Sequence, residues 1–489
     1  MRHLVVVIPG IGGSVLSTAP PGQGGEIVWD AGVGDIAGLL FRPHRLHLDA
    51  QPLLYGAGLI STKKALRRWA VVRGYDGLWS RLVVFAAGDS VDGGTGERVS
   101  GASLVAFAYD FRRSVAENAE LLADEVGARL RDLCGSDDEQ QKRVIVIAHS
   151  MGGLIARYWL GPLGGWPVCR ALITLGTPHR GAPKALDWLA NGPGKGWFRP
   201  GGPAETLRSW PSTYELLPRY PAIEDLRPDG SGGLLYPADL SGMFDGWTRR
   251  AEAAREVHDA IEQEWNAMQR SGTSMHSIVG WSHATGRSAT FDGKRVRVRP
   301  EVPDDLVFAG LAGDTGDKTV PALSAVPGEL DLATGDRTNE THGQIIDSAW
   351  VLALLARYEG IPWGGAVRDS GDTVTAGLDL PDTVEAGKEF TVGVRAVRRR
   401  SAQRDVTEVV DLSDSTVWCE LVVGVDGAGV ALPAAPMQFD TGDGWCRCTL
   451  VAPPDGLHEV RITLQDIPDW AEIALTEPFM SHDDTLEEN

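Results

Sequence analysis

The stretch from Arg143 to Arg157, Arg-Val-Ile-Val-Ile-Ala-His-Ser-Met-Gly-Gly-Leu-Ile-Ala-Arg, constrains this chain more than any other. It opens with a short β-branched apolar run, which reads as a strand buried on both faces. A serine between small residues ends the run, and a helix-forming stretch follows at once. Strand, sharp turn and helix in this order hold Ser150 in a strained backbone conformation with its oxygen exposed above a sheet. Ala148 and Gly152 let strand and helix pass closely. The usual pattern has glycine at both places; here the first is alanine. From these residues alone, a plain Ser-Gly turn after a core strand is the simpler alternative.

The rest of the first 365 residues repeats the alternation. Leu4–Ile8, 103–108, 171–175 and 275–280 read as further strands, and 114–133 and 345–358 as helices with apolar residues at three- and four-residue spacing. Strands alternating with helices predict a mostly parallel sheet with helices on both faces, and sites at the C-terminal ends of its strands. Residues 19–60 read as irregular. From about 183 to 272 the alternation breaks into Gly/Pro-rich segments with Trp188, Trp197, Trp210, Trp247 and Trp265, and a helix over 247–268. So long an excursion is expected to be a cap or lid. Its tryptophans are read as cap core in preference to membrane anchors. After a linker at 366–372, short alternating runs at 389–394, 417–425, 445–451 and 458–464 predict an all-β, sandwich-like domain over 373–480. Residues 481–489 form an acidic tail.

The formal net charge of −20 argues against nucleic acid as a partner and against electrostatic docking on anionic membranes. Hydrophobic contact with lipid stays allowed. The five cysteines, Cys134, Cys169, Cys419, Cys446 and Cys448, make neither a disulfide framework nor a zinc pattern. Cys446 and Cys448 are expected on one face of a strand. The apolar run at 4–8 resembles the start of a secretory signal, but Pro9-Gly10 ends it early. No run is long enough to span a bilayer. The expected location is cytoplasmic, with no cofactor and no metal.

A serine hydroxyl needs a histidine to take its proton and an acid to orient that histidine. The chain offers Ser150, Asp317 and His342 in that order and at sensible spacing. This is the order of an α/β-hydrolase. Asp317 lies in Gly-Asp-Lys-Thr-Val-Pro, with Asp314 as the rival acid. His342 lies in a polar loop before a helix. His149 and His179 are its rivals: His149 is expected to point away at the turn, and His179 precedes the acid and is expected to support the site by hydrogen bonding. Two N–H groups must meet the developing oxyanion. Met151 follows the serine. Ile11, in the turn Pro9-Gly10-Ile11-Gly12-Gly13-Ser14, is placed to give the second, with Gly10 and Gly12 permitting the close approach.

Together these motifs resemble the lecithin:cholesterol acyltransferase family. The matching pieces are Ile8-Pro9-Gly10-Ile11-Gly12-Gly13-Ser14, Tyr109-Asp110-Phe111-Arg112, Ala148-His149-Ser150-Met151-Gly152-Gly153, Thr177-Pro178-His179-Arg180-Gly181, Trp210-Pro211-Ser212-Thr213-Tyr214-Glu215-Leu216-Leu217-Pro218 and Gly316-Asp317-Lys318-Thr319-Val320-Pro321. The tryptophan-proline-serine segment is the most telling. The resemblance spans about 4–360 and implies an α/β-hydrolase core with a cap and lid over an acyl pocket. It also implies that Asp110 and Arg112 buttress the core, and that Trp29 lines the entrance. Three departures stand out. Gly13-Ser14 stand where the family often has asparagine after the glycines, residues 11–133 hold no cysteine for a lid disulfide, and the C-terminal domain is foreign to the animal enzymes.

The expected function is that of a serine hydrolase or acyltransferase acting on acyl esters, lipids first, with transient membrane contact through the lid. Two alternatives stand beside it. One is an esterase or thioesterase on non-lipid substrates. The other is an effector activated by a protein partner that the C-terminal domain recruits.

Overall fold

The computed structural model describes residues 1–31, 45–65, 69–72, 74–192, 202–228, 230, 232–241, 243–302, 316–361, 373–381, 383–399, 407–423, 430–454, 456–467 and 473–482. Its centre is a seven-stranded sheet built from β1 (Leu4–Ile8), β2 (Val91–Asp92), β3 (Leu104–Ala106), β4 (Val144–His149), β5 (Cys169–Leu175), β6 (Ser274–Gly280) and β7 (Asp336–Thr338). The spatial order is β7-β6-β5-β4-β1-β3-β2. Every neighbouring pair is parallel.

Alternate residues of the central strands enter two separate cores, as the two-residue period of a strand requires. Leu4, Val6, Ile8, Val144, Val146 and Ala148 pack on one side. Val5, Val7, Ile145, Ile147, Ile173 and Leu175 pack on the other. Helices cover both. On the first face lie α2 (Val115–Leu133), with Leu122, Val126 and Leu130, and α3 (Met151–Leu160), with Leu154 and Ile155. On the second lie α1 (Asp76–Ala86), with Leu78 and Leu82, and α4 (Ala349–Glu359), with Val351, Leu354 and Leu355. Burial on both faces explains why these strands are runs of Val, Ile and Leu with no polar alternation.

The expected strand over 103–108 is shorter, and the expected helix over 345–358 begins with a 3₁₀ turn at Ile345–Asp347. The expected irregularity of 19–60 is corrected in part. Ser14–Ser17, Ile27–Trp29 and Tyr55–Leu59 form an antiparallel sheet. These strands are three to five residues long and rich in small residues, so they carry little periodic signal.

The described residues between β5 and β6 form a cap whose core, Leu186, Leu189, Tyr214, Leu217, Tyr220 and Trp247, is joined by Phe291 from beyond β6. Trp210, Trp247 and Trp265 are buried and Trp188 is half-buried; Trp197 lies outside the described residues. The cap is larger than the expected 183–272. Ser288–Phe291 pairs in parallel with Ile223–Asp225, and Val296–Arg299 extends the same sheet.

Residues 373–482 form two further sheets. One contains Thr373–Asp379, Glu389–Arg399, Thr407–Val409, Gln438–Asp440 and Trp445–Val451. The other contains Thr383–Glu385, Thr416–Val423, Val430–Ala431, Ala435–Pro436, Gly456–Gln465 and Ile473–His482. Pairing is antiparallel except at Thr383–Glu385, which runs parallel to Ile473–His482. Val392 and Val394 from the first sheet meet Leu421, Val460 and Ile462 from the second in one core. Cys446 and Cys448, alternate residues of one strand, lie in or against that core with Cys419. All five cysteines are free. The linker at 366–372 and residues 483–489 lie outside the described residues, and so does Asp314.

Candidate active site

Ser150 stands between the end of β4 and the first residue of α3, with φ 52° and ψ −127°. L-residues seldom take this conformation. It survives because strand and helix on either side are packed tightly. A Cβ on Gly152 would lie 2.6 Å from the carbonyl oxygen of Pro9. One on Gly153 would overlap the Thr177 side chain. Alanine at 148 is accommodated, fully buried in the first-face core.

The structure brings Ser150, His342 and Asp317 together. Ser150 Oγ lies 2.9 Å from His342 Nε2, and His342 Nδ1 lies 2.7 Å from Asp317 Oδ2. A carboxylate only accepts, so Nδ1 carries the imidazole proton and Nε2 is left to accept from the serine hydroxyl. Asp317 Oδ1 accepts from the N–H groups of Thr319, at 3.0 Å, and Val320, at 2.6 Å. Burial alone would raise the Asp317 pKa. The neighbouring His342 and these N–H donors outweigh it and hold the carboxyl below its ordinary value. The loops carrying Asp317 and His342 are also joined directly: His342 N–H donates to the Asp317 carbonyl at 2.7 Å. Gly176 is required where they converge, because it has φ +53° and a Cβ there would sit 2.6 Å from Asp317 Oδ2.

The turn after β1 faces the serine: a Cβ on Gly10 would lie 2.8 Å from Ser150 Cβ and 3.3 Å from its Oγ. Three aromatic side chains hold this turn. Tyr109 O–H donates to the Pro9 carbonyl at 2.7 Å, the Gly10 N–H donates to Tyr75 Oη at 2.8 Å, and Trp29 Nε1–H donates to the Gly12 carbonyl at 2.8 Å. Ile11 lies between the fixed points. Among the described residues, the N–H groups of Ile11 and Met151 meet no protein acceptor. Both are available to an oxyanion.

Tyr75 was not singled out in the sequence, and it reaches further. Its Oη lies 2.7 Å from His149 Nδ1, and His149 Nε2 lies 2.9 Å from the His342 carbonyl oxygen. The carbonyl must accept, so Nε2 carries the proton and Nδ1 accepts from Tyr75 O–H. A buried line thus runs from the Gly10 N–H to the backbone of His342. Burial, and then the charge of His342, push the His149 pKa down to about 3. The expectation that His149 points away is therefore corrected: its ring centre lies 4.8 Å from that of His342. Tyr75 and His149 are 74 positions apart, too far for sequence spacing to reveal the contact.

The remaining site residues are placed further back. Asp110 makes a two-pronged ion pair with the fully buried Arg112, at 2.8 and 2.6 Å, and its carbonyl accepts from Asn118. Trp29 meets Phe111 edge-on at 6.0 Å, and Phe111 meets Trp210 at 5.5 Å. The tryptophan-proline-serine segment clamps the same region. Ser212 Oγ donates to the Phe111 carbonyl at 2.6 Å, and Glu215 Oε2 accepts from the N–H of Val115, the first residue of α2, at 2.7 Å. Burial pushes the Glu215 pKa up to about 8. The described hydrogen bonds do not join His179 to Ser150, Asp317 or His342; its Nε2 lies 3.3 Å from Thr174 Oγ1.

Residues 97–230 match the family model described as Lecithin:cholesterol acyltransferase. The resemblance read from the sequence is shown for that stretch, which holds Asp110, Ser150, Met151, His179 and the tryptophan-proline-serine segment. No curated protein matches the chain. Among solved structures, a chain of the Tle4-Tli4 complex is similar at 14% identity, over 73% of this chain and 99% of that one, with a TM-score of 0.48. The Bacillus licheniformis lipase BlEst2 in its mature form is similar at 14% identity, over 73% and 91%, with a TM-score of 0.33. The fold stands on the strand order and packing described above. Among the described residues, no helix is long and apolar enough to cross a membrane.

Proposed function

We propose that the chain is an acyl-ester hydrolase or acyltransferase acting on lipids, with Ser150 as nucleophile, His342 as base and Asp317 as the acid that orients it. The observation that carries the reading is the run of two short hydrogen bonds from Ser150 Oγ through His342 to Asp317. Ser150 Oγ attacks the acyl carbonyl carbon while its proton passes to His342 Nε2. The carbonyl oxygen becomes an oxyanion and receives the N–H groups of Ile11 and Met151. Collapse breaks the bond to the alcohol, which leaves with the proton from His342, and the acyl group stays on Ser150. Water or an acceptor alcohol then attacks the acyl-enzyme by the same steps in reverse.

The choice of lipid rests on the family match over residues 97–230. Incubation of the wild type and Ser150→Ala with a defined phospholipid, followed by mass analysis of the lipids, tests both parts. The reading predicts a free fatty acid or a new ester with the wild type and neither with the variant. Equal products from the two proteins would reject Ser150 as nucleophile. Wild-type turnover of a soluble ester but of no lipid would move the substrate to the non-lipid alternative.

A further inference from the structure

The first C-terminal sheet touches the segments that carry the acid and the base. Val397, from the strand Glu389–Arg399, is buried in one cluster with Val279, Trp281, Val320, Ala322, Ala325 and Val326. Val320 is the residue whose N–H is 2.6 Å from Asp317 Oδ1. Gly377, in the strand Thr373–Asp379, lies so close to the chain after β6 that a Cβ there would overlap the carbonyl of Ser282. Ser282 in turn bonds the side chain of Asn339.

His283 stands at the centre of this contact. Its Nδ1 accepts from the Leu378 N–H at 3.2 Å, so its Nε2 carries the proton and donates to the Asn339 carbonyl at 2.7 Å. Its own N–H donates to the Gly316 carbonyl at 3.0 Å. Its carbonyl accepts from Thr285 Oγ1 at 2.9 Å, and that hydroxyl accepts from the Lys318 N–H at 2.9 Å. Gly316 and Lys318 flank Asp317, and Asn339 precedes His342 by three residues. Lys318 has φ 77°, a left-handed backbone that needs outside support in a residue with a Cβ. His283 thus ties the C-terminal sheet to both loops: its ring joins Leu378 to Asn339, and its backbone holds Gly316 and, through Thr285, Lys318. It is 4% exposed.

We propose that the C-terminal sheets belong to the catalytic apparatus of this chain, with His283 as the positioning residue through which they hold the loops of Asp317 and His342. The proposal rests on the reading of Ser150, Asp317 and His342 as the reacting groups. A tether made only for recruitment would need no hydrogen bond to the residue that braces both loops. A misplacement of about 1 Å between reacting groups can lower turnover by about a hundredfold, so small shifts at this contact register as lost rate.

The test uses the full chain, a soluble p-nitrophenyl acyl ester and a fluorophosphonate that labels active serines. The variants are His283→Phe, His283→Gln, Gly377→Ala and Val397→Ala. His283→Phe loses both side-chain bonds, whereas glutamine retains one acceptor and one donor. Gly377→Ala pushes the sheet off Ser282 without changing any residue of the first 365. Val397→Ala trims the same contact and introduces no clash, so it decides the matter if the glycine variant does not fold. The expected result is a fall in kcat of about tenfold or more for His283→Phe and Gly377→Ala, and a smaller one for Val397→Ala. KM stays within about twofold because the variants act on the placement of Asp317 and His342. Labelling of Ser150 slows in parallel, and His283→Gln recovers most of the rate. Wild-type kcat in folded variants, or a glutamine variant no better than phenylalanine, overturns the proposal. Ser150→Ala run alongside separates the two ideas. Residual turnover by that protein rejects the reading of the reacting groups, while an inactive Ser150→Ala beside unaffected His283, Gly377 and Val397 variants rejects the proposal alone.

Discussion

Tyr75 and His149 join the turn that faces Ser150 to the backbone of His342, with the Tyr75 hydroxyl as the first link. Tyr75→Phe removes that hydroxyl and leaves two buried groups without a partner, the Gly10 N–H and His149 Nδ1. An orphaned buried group costs about 1–3 kcal/mol, so the variant is expected to unfold at a lower denaturant midpoint. It should also turn over about tenfold more slowly, because Gly10 adjoins the Ile11 donor. Wild-type values for both would remove Tyr75 from the site. His149 predicts a pH effect. In the unfolded chain it titrates near its ordinary value of 6.5, whereas the folded pKa is about 3. As pH falls from 6.5 toward 3 the unfolded state takes up a proton that the folded state does not, so stability falls across that window. The slope reaches at most about 1.4 kcal/mol per pH unit. Denaturant unfolding at pH 7, 6 and 5 should show a steeper loss in the wild type than in His149→Gln; equal slopes would contradict the assignment.

At the scale of elements, the strand-turn-helix around Ser150 was legible because its signal is local. Six consecutive buried residues, a serine and two glycines carry it. Read from their polar loops and their succession along the chain, the order of Ser150, Asp317 and His342 was also legible. Val91–Asp92 and Asp336–Thr338 were not, since strands of two and three residues have no period to detect. Contacts that close over long separations, such as Tyr75 with His149 or Glu215 with Val115, leave no mark in spacing at all. The close packing of β1 against α3 predicts that Gly152→Ala, whose Cβ would lie 2.6 Å from the Pro9 carbonyl, costs about 1–3 kcal/mol in denaturant unfolding. An unchanged midpoint would contradict that packing. The clamp between the cap and α2 has its own pH signature. Glu215 retains its proton up to about pH 8 in the folded chain, against 4.5 ordinarily. Its contribution to stability is therefore present below 4.5 and is lost as pH rises toward 8. Glu215→Gln should flatten this slope, which is opposite in sign to that of His149; a slope unchanged by the substitution would place the effect elsewhere.

For the whole molecule, the net charge of −20 sets how a lipid surface is met. Like charges repel over about a Debye length, close to 10 Å at 0.1 M salt. Initial rates on vesicles of anionic phospholipid are expected to lie below those on zwitterionic vesicles at low salt, with the gap narrowing as salt is added. Faster turnover on the anionic vesicles would contradict this and point to a local basic contact. The support proposed for the loops of Asp317 and His342 from the C-terminal sheets is one that alternating strands in the sequence could not disclose, because it depends on where Gly377 and Val397 dock. The most direct measurement for the central claim is covalent labelling of the intact chain with a fluorophosphonate, followed by peptide mass analysis. The account predicts one adduct per chain, on Ser150, with labelling strongly slowed in His342→Ala and absent in Ser150→Ala. An adduct on another residue, or ester turnover that continues unimpaired once Ser150 is fully labelled, would contradict it.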